Sequence, residues 1–392
     1  MARFGDGLGL DADLVVAAEE AARQAMDALR GRTPDLVCTF VSGGDPAQAA
    51  AAGERVGGVT GAGAMIGCSA DGLMGAGQGI EARPAVAVWA AVLPGVRLRE
   101  FHLEVMRADE GMAVIGMPER LDDDRAALLL TDPYSFPTDG FVTRSNTTLA
   151  GLPFVGGLAA GPRGPGSTRL WVDGRTVDRG AVGVLIGGDI TLRTVVSQGC
   201  RAVGPAMTVT AAEGNVIYEL AGSPALQKVE SLLAELPPTE QALASTGLHL
   251  GVVFDEYADE HEGGGFLVRG LLGADAGTSG LVVGDTVAVG STVRLQVRDA
   301  QAADEDLVSA LASYRRDTRE AAVGGGLLFS CTGRGSHLYG TSLGGADHDV
   351  VAVRRELDTS AVAGFFTAGE LGPVAGQNHL HGFTASLLAF PA

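Results

Sequence analysis

The feature that most constrains this fold is a repeated pattern of short apolar runs, each ending at glycine or at small polar residues. Three such runs follow one another near the C-terminus, in residues 324–335, 362–373 and 378–390. Short apolar runs bounded by turn formers are typical of buried strands. Polar residues are concentrated where the runs end, and binding and catalytic residues usually lie in the loops at the ends of strands. We therefore expect a sheet-rich fold with functional groups at strand ends.

The apolar runs recur in the order strand, helix, strand, strand. The first copy occupies residues 35–93 and has its helix start at Asp45-Pro46, with further copies from about 126 and 324. A weaker copy starts near Thr246, where the acidic residues 255–262 replace the helix and predict a solvated loop. The repeats predict an α/β (α+β) fold, a two-lobed, pseudo-symmetric body with mixed β-sheets and flanking helices. The alternative is that unrelated α/β proteins also repeat apolar strands, without internal duplication.

The segments outside the copies suggest where the domains begin. Residues 1–10 are rich in glycine and are expected to be loosely held, ahead of a helix capped by Asp11 or Asp13. Residues 200–236 separate the two halves and contain a hairpin turn at Gly214-Asn215. We predict an N-terminal extension and helix over 1–34, a first domain over 35–199 and a second domain over 200–392.

Composition excludes several classes of protein. Hydrophobic residues make up 46% of the 392 residues and charged residues 19%, so the chain can bury a sizeable core and is not disordered. The formal charge of −19 argues against nucleic-acid binding, which needs clustered cations. No apolar run approaches the length of a membrane span, and no leader pattern is present. The four cysteines are widely spaced, which favours a cytoplasmic protein with reduced thiols.

No motif in the sequence predicts a cofactor. Residues 75–79 are rich in glycine but do not form GxGxxG, and the chain lacks GxxxxGK[ST], GxSxG and HExxH. His379 and His381 would face the same side of an extended segment, as metal ligands do, and Glu370 is a possible third ligand. A zinc site needs three or four ligands, and no fourth is evident. We therefore expect neither a cofactor nor a metal.

Polar residues at the ends of the apolar runs are the candidates for ligand binding. Arg334 has a planar fork that suits bidentate recognition of a carboxylate or phosphate. Glu370 can accept an ammonium group, so the two residues together would clamp a zwitterionic amino acid. The alternative is a structural ion pair, for example between these two residues. Further candidates are Cys331, Ser69, Asn378, His381 and Thr384, with Ser42, Asp71, Glu81, Arg83, Asp132 and Tyr134 in comparable positions of the N-terminal half.

Two cysteines are candidates for a catalytic nucleophile. Cys68 lies in Gly67-Cys68-Ser69, where backbone N–H groups of a turn would stabilise an oxyanion. Cys331 precedes Arg334 and His337, which would favour its thiolate. The alternative for both is a small apolar thiol packed beneath a turn. The sequence favours binding over catalysis and leaves the question open.

Five segments carry a resemblance to a known family. They are Gly67-Cys68-Ser69, Gly214–Leu220 followed by Pro224, Phe329–Arg334, Gly364–Glu370 and His381–Thr384. In this order and spacing they resemble the FIST family, whose members pair a FIST N-terminal domain, here 35–199, with a FIST C-terminal domain, here 200–392. The resemblance implies an intracellular sensory module of signal transduction that binds small ligands such as amino acids. It implies no catalytic mechanism and no established set of binding residues.

Three hypotheses follow for function. The first is a sensor that binds amino acids or small carboxylates; because the chain leaves no room for an output domain, it would act alone or through a protein partner. The second is a cysteine-dependent hydrolase or transferase that uses Cys331 or Cys68, for which selective labelling of one thiol would be the sign. The third is an acidic scaffold for a basic protein partner, which moderate salt would release. We expect no nucleic-acid or membrane partner.

Overall fold

A computed structural model of the chain describes residues 1–108, 111–160, 164–254, 265–275, 277–318 and 322–392. The strands are β1 Arg3–Gly9, β2 Leu36–Ser42, β3 Ala64–Ala70, β4 Gly72–Gly75, β5 Gln78–Glu81, β6 Ala85–Val92, β7 Val96–Ala108, β8 Gly111–Ile115, β9 Asp124–Thr131, β10 Phe154–Leu158, β11 Leu170–Val172, β12 Arg175–Val177, β13 Ala181–Gly188, β14 Arg193–Ser197, β15 Cys200–Glu213, β16 Val216–Leu220, β17 Ser223–Pro224, β18 Leu248–Val253, β19 Phe266–Ala274, β20 Leu281–Val283, β21 Thr292–Arg298, β22 Val323–Cys331, β23 Ala361–Thr367, β24 Glu370–Val374, β25 Gln377–His381 and β26 Ala385–Pro391.

The helices flank these strands. They are α1 Leu14–Asp27, α2 Pro46–Thr60, α3 Thr138–Thr148, α4 Ala225–Glu235, α5 Pro238–Thr246, α6 Ala300–Thr318, α7 Gly335–Tyr339 and α8 His348–Leu357, with short 3₁₀ turns at Thr341–Leu343 and Gly345–Asp347. Asp45 caps α2 as the sequence predicts, and Gln48 completes a capping box. Within the described ranges, no helix has both the length and the apolar character needed to span a bilayer.

The chain divides into two compact units. The larger comprises Met1–Ser197, Leu307–Leu380 and Thr384–Ala392, and the smaller comprises Gln198–Asp306 and His381–Phe383. The mixed α/β architecture with mixed sheets and flanking helices is confirmed. The domain limits predicted at 34/35 and 199/200 stay predictions.

The predicted repeats correspond to sheets with one common strand order. In three sheets the third strand of the repeat lies beside the first, and the first beside the second, giving β6-β2-β3, β13-β9-β10 and β26-β22-β23. The first and second strands are parallel and the third is antiparallel in each case. The weaker copy has the same order, β21-β18-β19, but β18 and β19 are antiparallel. The acidic loop predicted at 255–262 lies outside the described residues.

Three β-hairpins connect the sheets of the larger unit. Each hairpin follows the second strand of one repeat and extends the sheet of another: β4–β5 pairs with β23, β24–β25 with β10, and β11–β12 with β3. The repeats therefore exchange hairpins in a closed cycle. Hydrophobic patterning predicts the strands of a repeat, but it does not identify partners in another repeat.

The larger unit has a central core formed by all three of its sheets. Alternate residues of β2, including Phe40, face this core, and the intervening residues face α1 and α2. Ring centroids lie 5.2 Å apart for Phe40 and Phe365, and 4.8 Å apart for Trp89 and Phe390. Trp89 Nε1 donates a hydrogen bond to Ala361 O over 3.1 Å. The three sheets therefore fold as one cooperative body, with helices on their outer faces.

The N-terminal residues are not loosely held, which corrects the expectation from their glycine content. β1 pairs with β6 along its whole length, from Arg3 opposite Val92 to Gly9 opposite Val86. A Cβ at Gly5 would lie 2.1 Å from Ala25 O of α1, and Gly7 and Gly9 are equally close to that helix. These alternating glycines therefore allow α1 to pack closely against β1, whereas a high glycine content by itself predicts a flexible segment.

Candidate functional site

The carboxyl ends of β2 and β3 open onto a cleft of about 550 Å³ in the larger unit. Its walls are the turn Gly43–Gly44 after β2, the turn Asp71–Gly72 after β3, residues 81–84 after β5, Thr332 after β22, and Phe366 of β23. The cleft therefore lies where the strand ends of two repeats meet. We name it the β2–β3 cleft.

Backbone contacts at Gly43 fix the shape of the β2–β3 cleft. Gly43 has a φ of 74°, and a Cβ there would lie 2.8 Å from Pro84 Cα. The buried Ser42 donates a hydrogen bond from Oγ to Arg83 O over 2.7 Å. The turn after β2 and the loop that carries Arg83 are thus held together by a close backbone approach that only glycine permits.

Replacing Gly43 with alanine is expected to lower the free energy of unfolding by about 1–3 kcal/mol, because the new methyl group strains a left-handed turn and contacts Pro84. Gly31→Ala is the matched control, since Gly31 has a φ of 78° but open space where its Cβ would lie. Urea titration by tryptophan fluorescence measures the effect, because both tryptophans, Trp89 and Trp171, lie in the larger unit. Equal losses in the two variants would refute a role for the Gly43–Pro84 contact.

Charged side chains on the rim of the β2–β3 cleft have different partners. Glu81 accepts hydrogen bonds from Ser336 N, at 3.2 and 3.3 Å to its two carboxylate oxygens. A Cβ at Gly335 would lie 1.8 Å from Glu81 Oε1, so a larger residue there would displace the Glu81 carboxylate. The Arg83 side chain is exposed, and its guanidinium group has no hydrogen-bond or ion-pair partner among the residues that the structure describes.

Arg334 forms a buried ion pair with Asp349, not with Glu370. Both side chains are almost completely buried, with Arg334 Nε 2.8 Å from Asp349 Oδ2 and Nη2 3.0 Å from Oδ1. Asp349 also accepts hydrogen bonds from Ser330 Oγ over 2.6 Å and from Tyr339 OH over 2.9 Å. Burial by itself would raise the pKa of Asp349, but the Arg334 charge and the hydrogen bonds from His348, Arg334 and Ser330 hold that pKa well below its usual range.

Glu370 is buried among hydroxyl groups at the start of β24. Its carboxylate accepts hydrogen bonds from Thr367 Oγ1 over 2.6 Å, Thr384 Oγ1 over 2.8 Å and Thr384 N over 3.1 Å. Burial raises the pKa of Glu370 to about 7, against the opposing effects of these hydrogen bonds and of the Arg334 charge. The site therefore stabilises a protonated carboxyl group near neutral pH.

The other predicted binding residues are also buried or bonded to the backbone. Asn378 accepts a hydrogen bond from Phe154 N over 2.8 Å and donates one to Leu152 O over 2.9 Å. Ser69 Oγ accepts one from Arg169 N over 2.8 Å, which ties β3 to the segment before β11. His381 is buried and belongs to the smaller unit. These contacts connect strands and loops of the fold.

The two candidate nucleophiles differ in their surroundings. Cys68 is fully buried, and this burial, together with the neighbouring Cys38, raises the pKa of its thiol well above the usual value. Such a group remains a protonated, inaccessible thiol, the opposite of an activated thiolate. Cys331 is 7% exposed, and Gly333 N donates a hydrogen bond to its Sγ over 3.4 Å.

Sequence interpretation missed Asp349 and did not single out Arg83 among the strand-end residues. Asp349 lies in the first turn of α8, where acidic residues are common because they interact favourably with the helix dipole. Nothing in the sequence therefore indicates that Asp349 pairs with Arg334. Arg83 follows β5, and that its side chain has no partner among the described residues depends on the tertiary structure. In the described residues, no group of three or more His, Cys, Asp or Glu side chains is arranged to hold a metal ion.

Comparisons with known proteins cover almost the whole chain. The profile of the FIST N domain matches residues 35–223, and that of the FIST C domain matches residues 225–373. An uncharacterized protein of Mycobacterium tuberculosis strain H37Rv is 42% identical over 388 residues, which cover 99% of each chain. An uncharacterized protein of Mycobacterium bovis is 40% identical over 390 residues, which cover 99% of this chain and 98% of the relative.

Proposed function

Since this chain belongs to the FIST family of paired FIST N and FIST C domains, we propose that it senses small carboxylates, amino acids above all, by binding them in the β2–β3 cleft. FIST domains are regarded as sensory domains of signal transduction. The family therefore supports ligand sensing in general, and the ligand class and the site are our proposal.

The observation that carries this proposal is the Arg83 guanidinium in the β2–β3 cleft. It is exposed and has no partner among the described side chains and backbone groups, whereas the Arg334 guanidinium is buried and pairs with Asp349. A free guanidinium fork binds a carboxylate through two parallel hydrogen bonds. Arg83 is therefore the better candidate for direct ligand contact, and Arg334 supports the fold beneath the cleft.

The remaining walls of the β2–β3 cleft favour an amino acid over a simple carboxylate. The carboxylates of Asp71 and Glu81 lie on the same rim as Arg83 and provide acceptors for an ammonium group. Phe366 and Pro84 provide apolar surface for a side chain. A few convergent polar groups on an apolar wall are the usual composition of a small-molecule site.

The test is a thermal-shift screen of amino acids, small carboxylates and uncharged analogues on the wild type and on Arg83→Gln. A ligand at a hundredfold excess over its Kd stabilises the wild type by about 2.7 kcal/mol. Arg83→Gln should weaken binding at least about tenfold, because one charge-assisted pair is lost. Arg355→Gln is the control, since Arg355 is an exposed arginine on α8 whose partner is Glu356.

Two results would contradict the proposal. One is the same ligand shift in the wild type and in Arg83→Gln, which would exclude the guanidinium from the site. The other is no shift with any carboxylate, which would turn attention to the acidic scaffold hypothesis and to a search for a basic protein partner.

A further inference from the structure

A second groove lies in the larger unit, between α2 and the β11–β12 hairpin. Its volume is about 330 Å³, and its walls are the second half of α2, residues 62–65, Glu100 of β7 and residues 171–176 of the hairpin. It shares no residue with the β2–β3 cleft. Its size is at the lower end of the range for small-molecule sites. We name it the α2 groove.

Glycines of α2 create the open space of the groove. A Cβ at Gly53 would lie 2.1 Å from both Cε2 and Nε1 of Trp171, so the indole ring packs directly on the helix backbone. One turn later, among the described atoms, a Cβ at Gly57 would meet only Met65 Sδ, at 3.4 Å, and one at Gly58 would meet nothing within 4 Å. Each of the three glycines lowers the stability of the helix by about 1 kcal/mol relative to alanine. Their missing side chains leave a space that larger residues would fill.

Two polar groups in the walls of the groove lack hydrogen bonds. Trp171 is 3% exposed, and its indole ring packs against Gly53 of α2. In the part of the chain that the structure describes, neither Trp171 Nε1 nor Thr176 Oγ1 has a hydrogen-bond partner, although both atoms are buried. Buried polar groups without partners are rare and costly in native proteins, so each one indicates a missing partner.

The charge of the groove is negative. Glu100 Oε1 accepts hydrogen bonds from Asp173 N over 2.9 Å and from Met65 N over 3.1 Å, while Oε2 has no partner in the described residues. Burial raises the pKa of Glu100, against the opposing effects of the two backbone hydrogen bonds and of the Arg175 charge. Glu54 and Asp173 also line the groove, and its single cation, Arg175, pairs with Asp173 over 3.4 Å. The groove therefore favours a cation.

We propose that the α2 groove binds a small protonated amine that also carries an oxygen acceptor. The ammonium group hydrogen-bonds to Glu100 Oε2, and the neighbouring oxygen accepts from Thr176 Oγ1. Such a ligand neutralises the partly buried carboxylate and satisfies an unpaired donor at the same time. A carboxylate ligand is disfavoured, because it would meet Glu100 without a free cation to compensate it.

The first experiment uses ethanolamine as the probe and follows tryptophan fluorescence of the full chain. Trp171 lines the groove, whereas Trp89 is fully buried in the central core, so ligand binding should change the Trp171 signal. We expect a saturable change with ethanolamine and none with glycolate or ethylene glycol at equal ionic strength. Trp171→Phe should remove the change and so assign it to that residue.

Two variants test the contacts. Glu100→Gln keeps an oxygen for the two backbone donors but removes the charge, and should weaken ethanolamine binding by about tenfold to a hundredfold. Gly57→Leu fills the groove with a residue that favours helix, so it should abolish binding without loss of folding. Glu104→Gln, at an exposed position of the same strand, should bind as the wild type does.

The proposal would be overturned by unchanged affinity in both Glu100→Gln and Gly57→Leu, or by glycolate binding as well as ethanolamine. Failure of both ethanolamine and glycinamide to bind at about 10 mM, where even a millimolar site is mostly filled, would also overturn it. Arg83→Gln should leave amine binding unchanged, so this result is independent of carboxylate binding in the β2–β3 cleft.

Discussion

Replacing Arg334 with methionine is expected to lower the free energy of unfolding of the larger unit by about 3–5 kcal/mol, because the buried Asp349 carboxylate would lose its arginine partner. The Arg334 side chain is fully buried, and both its Nε and Nη2 bond to Asp349. Ser330, Tyr339 and the His348 ring stay within hydrogen-bond distance of Asp349 in the variant, but none of them has the permanent charge of the guanidinium group. Urea titration by tryptophan fluorescence measures the loss.

Two further variants separate the buried charge from a general effect of removing arginine. In Arg334→Met/Asp349→Asn the charge is removed on both sides, so we expect more than half of the lost free energy to return. Arg355→Met removes an exposed arginine that pairs with Glu356, and should cost less than about 1 kcal/mol. If the double variant is no more stable than Arg334→Met, an unpaired charge is not the cause of the loss.

The second large effect is a dependence of stability on pH that Glu370 contributes. Its pKa rises from 4.5 in the unfolded chain to about 7 in the folded protein, because burial disfavours the charged form. The folded state therefore binds the proton more tightly, so this stabilisation is complete below about pH 4.5 and is lost as the pH rises to about 7. The pKa difference corresponds to about 3 kcal/mol.

Glu370→Gln isolates this contribution, since glutamine is neutral at every pH and keeps an oxygen for the Thr384 donors. Relative to the wild type, the variant should gain about 3 kcal/mol between pH 4.5 and pH 8, measured as the difference between two urea titration series. Asp6, with a pKa raised by burial to about 6, titrates in both proteins and cancels in this difference. Parallel stability curves for the two proteins would show that the Glu370 proton is not linked to folding.

The buried groups at the strand ends have a consequence for sensing. Arg334 and Glu370 hold the ends of β22, β23 and β24 through contacts inside the protein, and neither side chain is exposed to a ligand. Thr332, which follows β22, lines the β2–β3 cleft directly. Ligand contact and structural support are thus divided between different residues. Variants of the two kinds should therefore differ, with Arg334→Met acting on stability and Arg83→Gln on binding.

Local sequence determined the elements of this protein. The apolar runs predicted β2, β3, β6 and their counterparts, and Asp45-Pro46 predicted the start of α2, because alternation and capping depend on neighbours in the chain. The order of the strands within each sheet did not follow from the sequence, because hydrophobic patterning does not identify which strands pair. The family resemblance came from the order of short segments and needed no structure.

Only the tertiary structure decided which residues meet. The hairpin exchange joins strands from different repeats, and the glycines of β1 serve close packing on α1, which composition interprets as flexibility. Arg334 and Glu370 both follow apolar runs, yet Arg334 bonds to Asp349 and Glu370 bonds to Thr367. Arg83 lines the β2–β3 cleft, and its side chain has no partner among the described residues. The physical reason is that the burial and orientation of a side chain depend on the segments packed around it, which come from distant parts of the chain. Those contacts, and not residue type, decide whether a charge is buried or left to bind a ligand.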